Sequence, residues 1–324
     1  MEKTETFIAA LILAAVVSVA GIIVSIKVTA KERLRISTTT SLYDSGLLEA
    51  IRNQYETKRS ISIQIISRGT GLAVKLAQGG DADMILVHAP SKEFFFLKQG
   101  YGVCRKIIAY NFFAIVGPET DPAEIRELTP LEALAKIVEA GRNGQAKWVS
   151  RGDESGTHIK EKVLWEAAGF IWENLRSEIS WYREASKGMG GALILASERS
   201  AYTLTDMGTY LSHSKAGLIA LDVLVSEGEE LLNVYSVIAV NQTRHPHTNF
   251  NGAIDFIKFL VSDEGQQLIG DYGKDDYGQP LFYPAVKLLQ ENNDPVTDSI
   301  KEYAFFNGTE CPAEYRGDYL ELYG

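Results

Sequence analysis

Cysteine is scarce. The 324 residues hold two, Cys104 and Cys311, which could pair in an oxidising compartment but cannot form the disulfide framework on which small exported folds depend. Positive charge is also short, 32 Lys and Arg against 42 Asp and Glu for a net −10, and a body that acidic is a poor binder of nucleic acid. Any anion it holds must be gripped by local groups and not by an overall field. Histidines number five. Two of them, His245 and His247 in "HPH", have no second ligand cluster and lie in a segment that proline keeps extended, so a solvated loop is expected, with no metal and no other cofactor. The chain has no internal repeat, low-complexity tract or long disordered linker.

Long uncharged apolar runs are limited to residues 7–26, "FIAALILAAVVSVAGIIVSI", and about twenty such residues can just span a bilayer as one helix. Two readings compete. "VTA" at Val28 to Ala30 resembles a signal-peptidase site, whereas the run exceeds the usual signal core and suits a retained membrane anchor. No Cys follows the run, which argues against lipoprotein attachment. Both readings make residues 1–30 a signal peptide or anchor and place residues 31–324 outside the cytoplasm, at the cell surface or in the periplasm.

After that segment, strand-like and helix-like stretches alternate: "LRIST" before "SGLLEAIRNQYETK", "ISIQIISRG" before "TGLAVKLAQGG", "ADMILVHAP" before "KEFFFLKQG". This predicts an α/β fold with a largely parallel sheet, whose ligands would sit at the carboxyl ends of the strands. Thr129, Pro130 and Glu132 predict a helix start with a capping box. Two extended stretches, near residues 107–117 and 233–241, would carry the chain from one lobe to another and back. The expected division is 31–114 for the first lobe, 115–234 for the second and 235–324 for the return to the first with the tail.

Four polar turns join strand-like stretches to helix starts: "STTTS" at Ser37 to Ser41, "SRGTG" at Ser67 to Gly71, "SRGDESGT" at Ser150 to Thr157 and "SKGMGG" at Ser186 to Gly191. One such turn is ordinary capping. Four facing one cleft would surround an oxyanion, because helix amino termini present unpaired N–H groups, hydroxyls donate without adding charge, and Gly lets the backbone approach. Arg151 could add a permanently charged fork. Asp44 is read as a helix cap, Asp153 and Glu154 as pointing out of the cleft, and Arg68 as facing solvent.

"STTTSLYDSGLL", "ADMILVHAP" and "SRGDESGTH", in that order, resemble the motifs of the tungstate-binding proteins of ABC importers, the TupA family. "AIDFIKFLVSDEGQQLIGDYG" is similar to a closing segment shared more widely with molybdate- and phosphate-type binding proteins. The resemblance covers residues 34–285. It implies a type II periplasmic-binding-protein clamshell of two α/β lobes that captures tungstate and delivers it to a membrane permease. Its motif matches place Thr39, Thr40, Ser41 and Thr70 in the ligand shell from the first lobe, and Arg151, Ser155 and Thr157 from the second. His88 is expected to buttress the cleft rather than touch the ligand.

Other classes fit less well. Ser155 lies among Asp153, Glu154 and His158, but "GDESG" is not a nucleophile elbow and nothing in sequence orients His158, so no enzyme activity is expected. The RGD triplets at Arg151 and Arg316 are short enough to arise by chance. Molybdate is the runner-up ligand, ahead of phosphate and sulfate, and a membrane-anchored sensory domain is the runner-up class, although no signalling segment follows Gly324. Trp148, Trp165, Trp172 and Trp181 all fall in the expected second lobe, where core packing is their expected role.

Overall fold

The computed structural model describes residues 32–323; the apolar segment at 7–26 lies outside them. Strand β1 (Glu32–Thr39) runs into a short helix α1 (Thr40–Asp44) and α2 (Leu47–Lys58), and β2 (Ile61–Arg68), α3 (Thr70–Gln78), β3 (Met84–Val87) and α4 (Pro90–Lys98) follow. Then comes the long strand β4 (Gly102–Gly117). Beyond it lie α5 (Pro130–Arg142), β5 (Trp148–Ser150), α6 (Gly156–Ala167), α7 (Trp172–Leu175), β6 (Tyr182–Glu184), α8 (Met189–Glu198), β7 (Thr203–Asp206), α9 (Met207–Lys215) and β8 (Asp222–Val225). The chain returns on β9 (Leu232–Val240) to α10 (Phe250–Val261), α11 (Asp263–Asp271), α12 (Lys274–Tyr277), β10 (Tyr283–Pro284), α13 (Val286–Glu291) and α14 (Pro295–Ala304). The capping box forms as expected, with Thr129 and Glu132 exchanging side-chain bonds at the start of α5.

The sheet is mixed, which corrects the expectation of a largely parallel one. β1 pairs in parallel with β2 and β3, but β3 pairs antiparallel with β9, β9 with β4, and β4 with β10. The reason is topological: the chain leaves on β4 and comes back on β9, so these neighbours must run in opposite directions, and Asn111 of one lies opposite Asn233 of the other. The second half of β4 pairs with β7 and β8 instead. β4 therefore belongs to two packing units. In the first, Leu34, Ile36, Ile51, Met84, Val237 and Phe256 share a core under α2 and α10; in the second, Ile115, Leu134, Ile137, Trp148, Trp165 and Leu204 form another under α5 and α6.

The tail packs on the backs of the two long strands: Ile300 and Ala304 of α14 bury against Ile107, Leu232 and Val234. Arg105 is wholly buried, pairing with Glu93 at 2.8 Å and donating to the Glu310 carbonyl at 2.6 Å. Cys104 and Cys311 are both buried free thiols. The "HPH" segment is more than a solvated loop, since His245 donates to the Gln78 carbonyl at 2.9 Å and His247 to that of Gly80 at 3.0 Å, closing the exposed end of α3.

Candidate functional site

The carboxyl end of β1 carries the hydroxyl row. Thr38 points down into the sheet and donates to the Leu86 carbonyl at 2.8 Å, a purely structural bond. Thr39 is the cap of α1 and accepts from the Leu42 N–H at 3.3 Å. Its hydroxyl lies 3.3 Å from that of Ser41, which lies 3.0 Å from Nε2 of His88. Nδ1 of His88 is 2.8 Å from Oδ1 of Asn233. Burial lowers the His88 pKa to about 4, with Asn233 pulling the other way, so the ring is neutral at physiological pH.

Thr40 accepts from Nη2 of Arg151 at 2.9 Å, a bond between the two packing units. Other close approaches bring the remaining turns to the same place. A side chain on Gly69, just before α3, would come within 3.2 Å of the Asp153 carbonyl, and one on Gly188, just before α8, within 3.8 Å of the Asp44 carboxylate. A methyl group on Gly156 would lie 2.5 Å from the His88 ring, so the start of α6 can approach the first unit only as glycine. α3 and α8 begin after glycines, without side-chain caps, and their first N–H groups stay available to a ligand. Ser155 does cap α6, accepting from the His158 N–H at 3.2 Å.

Several buried donors in this region have no hydrogen-bond partner among the described residues: the Thr70 hydroxyl, Nε and Nη1 of Arg151, and the Thr157 hydroxyl. Arg151, Thr70, Ser155 and Thr157 are fully buried. Leaving a buried donor unpaired costs about 1–3 kcal/mol, and more when it is charged. Four such groups in one region suit a partner that accepts hydrogen bonds.

The acidic residues depart from expectation. Asp153 does not point away: its Oδ2 bonds to Nη2 of Arg151 and its Oδ1 accepts from the Ser155 N–H at 3.2 Å. The loop turns back because both its neighbours, Gly152 and Glu154, have positive φ, 63° and 55°. Asp44 ends α1 rather than capping a helix start. Its pKa is raised by desolvation, against the pull of Arg151. Glu154 does face outward, paired with Lys162 at 2.6 Å, and Arg68 is exposed. Sequence reasoning missed Asp206, a buried cap of α9 whose pKa is likewise raised by burial and opposed by Arg151. It also missed Asn233 and Asn111, which only the pairing of β4 with β9 brings under His88.

His158 accepts a bond from the Glu154 N–H at Nδ1, 3.1 Å away, so its neutral ring carries the hydrogen on Nε2. Ser155 uses its hydroxyl oxygen on backbone N–H. Among the described residues, no group of three His, Cys, Asp or Glu side chains could hold a metal ion.

A family profile described as a PBP superfamily domain matches residues 26–264. A protein of Peptoclostridium acidaminophilum named tungstate-binding protein TupA is 41% identical over 261 residues, 80% of this chain and 87% of the relative. The crystal structure of a tungstate ABC transporter protein from Geobacter sulfurreducens is 43% identical, with a TM-score of 0.67, over 75% of this chain and 100% of that one. The tungstate-binding protein TupA of Desulfovibrio alaskensis gives 36% identity and a TM-score of 0.66, over 78% of this chain and 98% of that one.

Proposed function

Since the chain belongs to the PBP superfamily, and within it to the TupA family of tungstate-binding proteins, we propose that it is the solute-binding component of an ABC transporter and that its cargo is tungstate. The observation that carries this reading is the set of unpartnered buried donors on Thr70, Arg151 and Thr157. The two packing units would act as lobes divided near residues 114 and 234, with β4 and β9 as the hinge. Thr40 and Thr70 would donate to the anion from one side, along a wall shaped by Thr39 and Ser41, and Arg151, Ser155 and Thr157 would donate from the other. Closure would follow from the anion bridging donors of both lobes, since binding both faces of the cleft favours the closed state over the open one.

The donor inventory supports a fully deprotonated oxyanion. Hydrogen phosphate would gain from a carboxylate that accepts its proton; Asp153 already accepts from Nη2 of Arg151 and from the Ser155 N–H, and the phosphate arm of the titration below decides between the two anions. Arg151 is the one cationic group in the proposed shell, and Asp44, Asp153 and Asp206 surround it with negative charge. Affinity therefore rests on placed donors and helix amino termini more than on net charge.

The protein would bind and deliver rather than catalyse. Ser155 and His158 are engaged with backbone N–H groups, which leaves no base aimed at the hydroxyl. An extracytoplasmic position, held or exported through the segment at 7–26, and a membrane permease as the receiving partner complete the proposal. The test is a titration of the purified protein with tungstate, molybdate, sulfate and phosphate, read by Trp fluorescence and calorimetry. Saturation by tungstate with sulfate and phosphate silent is the expected result. Equal binding of molybdate would move the assignment to group 6 oxyanions in general, and silence toward all four would overturn it.

A further inference from the structure

A single file of hydrogen bonds runs from the hinge strands to the hydroxyl row, and its direction can be read from one end. Asn111 donates through Nδ2 to the Leu281 carbonyl at 3.2 Å, which can only accept. The Oδ1 of Asn111 therefore faces Asn233, whose Nδ2 donates to it at 2.9 Å and to the Tyr235 hydroxyl at 2.7 Å. With both amide hydrogens committed, Asn233 presents Oδ1 to His88 and can only accept there. His88 must then carry its hydrogen on Nδ1 and offer a lone pair at Nε2. The Ser41 hydroxyl donates to that lone pair, the Thr39 hydroxyl donates to Ser41, and the Leu42 N–H donates to Thr39. Every bond points the same way, and such files strengthen one another. The ring is further held by stacking on Tyr235, with centroids 5.0 Å apart.

We propose that Asn233, itself oriented by Asn111, is a specificity-determining positioning residue: by fixing the His88 tautomer it turns the Ser41 hydroxyl hydrogen away from the cleft and holds the row at a set radius. The inference rests on reading this row as one wall of the oxyanion site. As arranged, the first unit offers the hydroxyls of Thr40 and Thr70, and Thr39 only by giving up its 3.3 Å bond to Ser41. Without the Asn233 acceptor, the ring can move its hydrogen to Nε2 and donate to Ser41, whose own hydrogen is then free to rotate into the cleft. A rotating donor can follow a smaller anion inward. Sulfate, with shorter bonds to oxygen than tungstate, should gain more from that freedom.

The experiment compares wild type, Asn233→Leu, Ser41→Ala and the double variant in the full-length protein. The His88 tautomer is read from imidazole nitrogen NMR shifts without ligand, and dissociation constants for tungstate and sulfate come from calorimetry. Asn233→Leu should move the hydrogen to Nε2 and reduce the tungstate-over-sulfate preference about tenfold, the scale of one hydrogen bond gained by sulfate. In a Ser41→Ala background, where there is no hydroxyl to rotate, Asn233→Leu should no longer change the preference. A hydrogen on Nε2 in the wild type overturns the proposal before any variant is made. So does a switched tautomer in Asn233→Leu with an unchanged preference, or a preference that Asn233→Leu lowers as far in the Ser41→Ala background as in the wild type. If the wild type has the Nδ1 tautomer but binds no oxyanion, the failure lies in the reading of the site, and the inference about selectivity falls with it.

Discussion

On the wall of the site built by β1 and α1, the hydroxyls of Thr39 and Ser41 are bonded to each other, to a backbone N–H and to His88. On the opposite wall, Thr157 and two nitrogens of Arg151 have no partner among the described residues, and neither has Thr70 of α3, which stands beside the satisfied row. The first wall is satisfied and rigid before any ligand arrives, and its bonds run back to the hinge strands. The second would be left with unpaired buried donors if the cleft closed without an acceptor, a cost that an anion removes. A binding protein would gain from this division: one face would set the shape of the site, and the other would supply the energy that closes it.

The largest test of that contrast is Arg151→Ala. It removes the sole cationic donor of the proposed shell, and with hydrogen bonds to charged groups worth about 1.5–3 kcal/mol each, tungstate affinity in a calorimetric titration should fall at least about 100-fold. Arg151→Lys keeps charge but not the planar fork and should recover less than half of that loss in free energy. Near-wild-type affinity in the alanine variant would remove the second wall from the site.

Acid should reach the first wall next. His88 is buried neutral with its pKa lowered from 6.5 to about 4, so between these values the unfolded chain binds a proton that the folded chain refuses. Its contribution to stability is present in full above about pH 6.5 and is lost as pH falls toward 4, by about 3 kcal/mol. His158, lowered to about 4 by burial and by Lys162, adds to the same slope. Chemical denaturation across pH 4–7 should show the loss, and His88→Gln should reduce the slope by about half, leaving the share of His158. An equal slope in that variant would mean the ring is not the titrating group.

Gly156→Ala probes where the walls meet. The added methyl would sit 2.5 Å from the His88 ring, and overpacking of that kind costs about 1–3 kcal/mol. If closure requires this approach, tungstate affinity should drop by about tenfold or more while the hydrogen bonds of both walls are retained in the open form. Small-angle scattering with saturating tungstate would then report a more open protein than the wild type.

Much of this was legible in the sequence because it rests on local chemistry. The hydroxyl row, the capping box at Thr129 and the donors of "SRGDESGT" lie within a few residues of the elements they serve. The alternation of strands and helices gave the α/β class for the same reason. What the sequence left out depends on long-range pairing or on backbone turns. The sheet is mixed because β4 and β9 neighbour each other, a fact of topology that no local pattern carries. Asn111 and Asn233 sit 122 residues apart, and neither stands in a recognisable motif. Asp153 was misread because its direction is set by positive φ on either side, and only the glycine at 152 hinted at that.

The smallest expected effect separates the two walls most cleanly, because one change of chemistry should have opposite consequences on them. Thr39→Val removes a helix cap and a link of the hydrogen-bond file, so it should lower the stability of the unliganded protein by about 1 kcal/mol. Thr157→Val replaces an unpartnered buried hydroxyl with a methyl of nearly the same shape. In an open cleft water would satisfy that hydroxyl, so its loss should leave the unliganded protein about as stable as wild type. With tungstate the order should reverse: Thr157→Val loses a donor to the anion and about fivefold or more in affinity, whereas Thr39→Val loses less, because its hydrogen was committed to Ser41. Paired thermal melts and calorimetry on the two variants test for this crossing. If both lost stability and affinity in the same proportion, the division into a rigid wall and a responsive one would not describe this site.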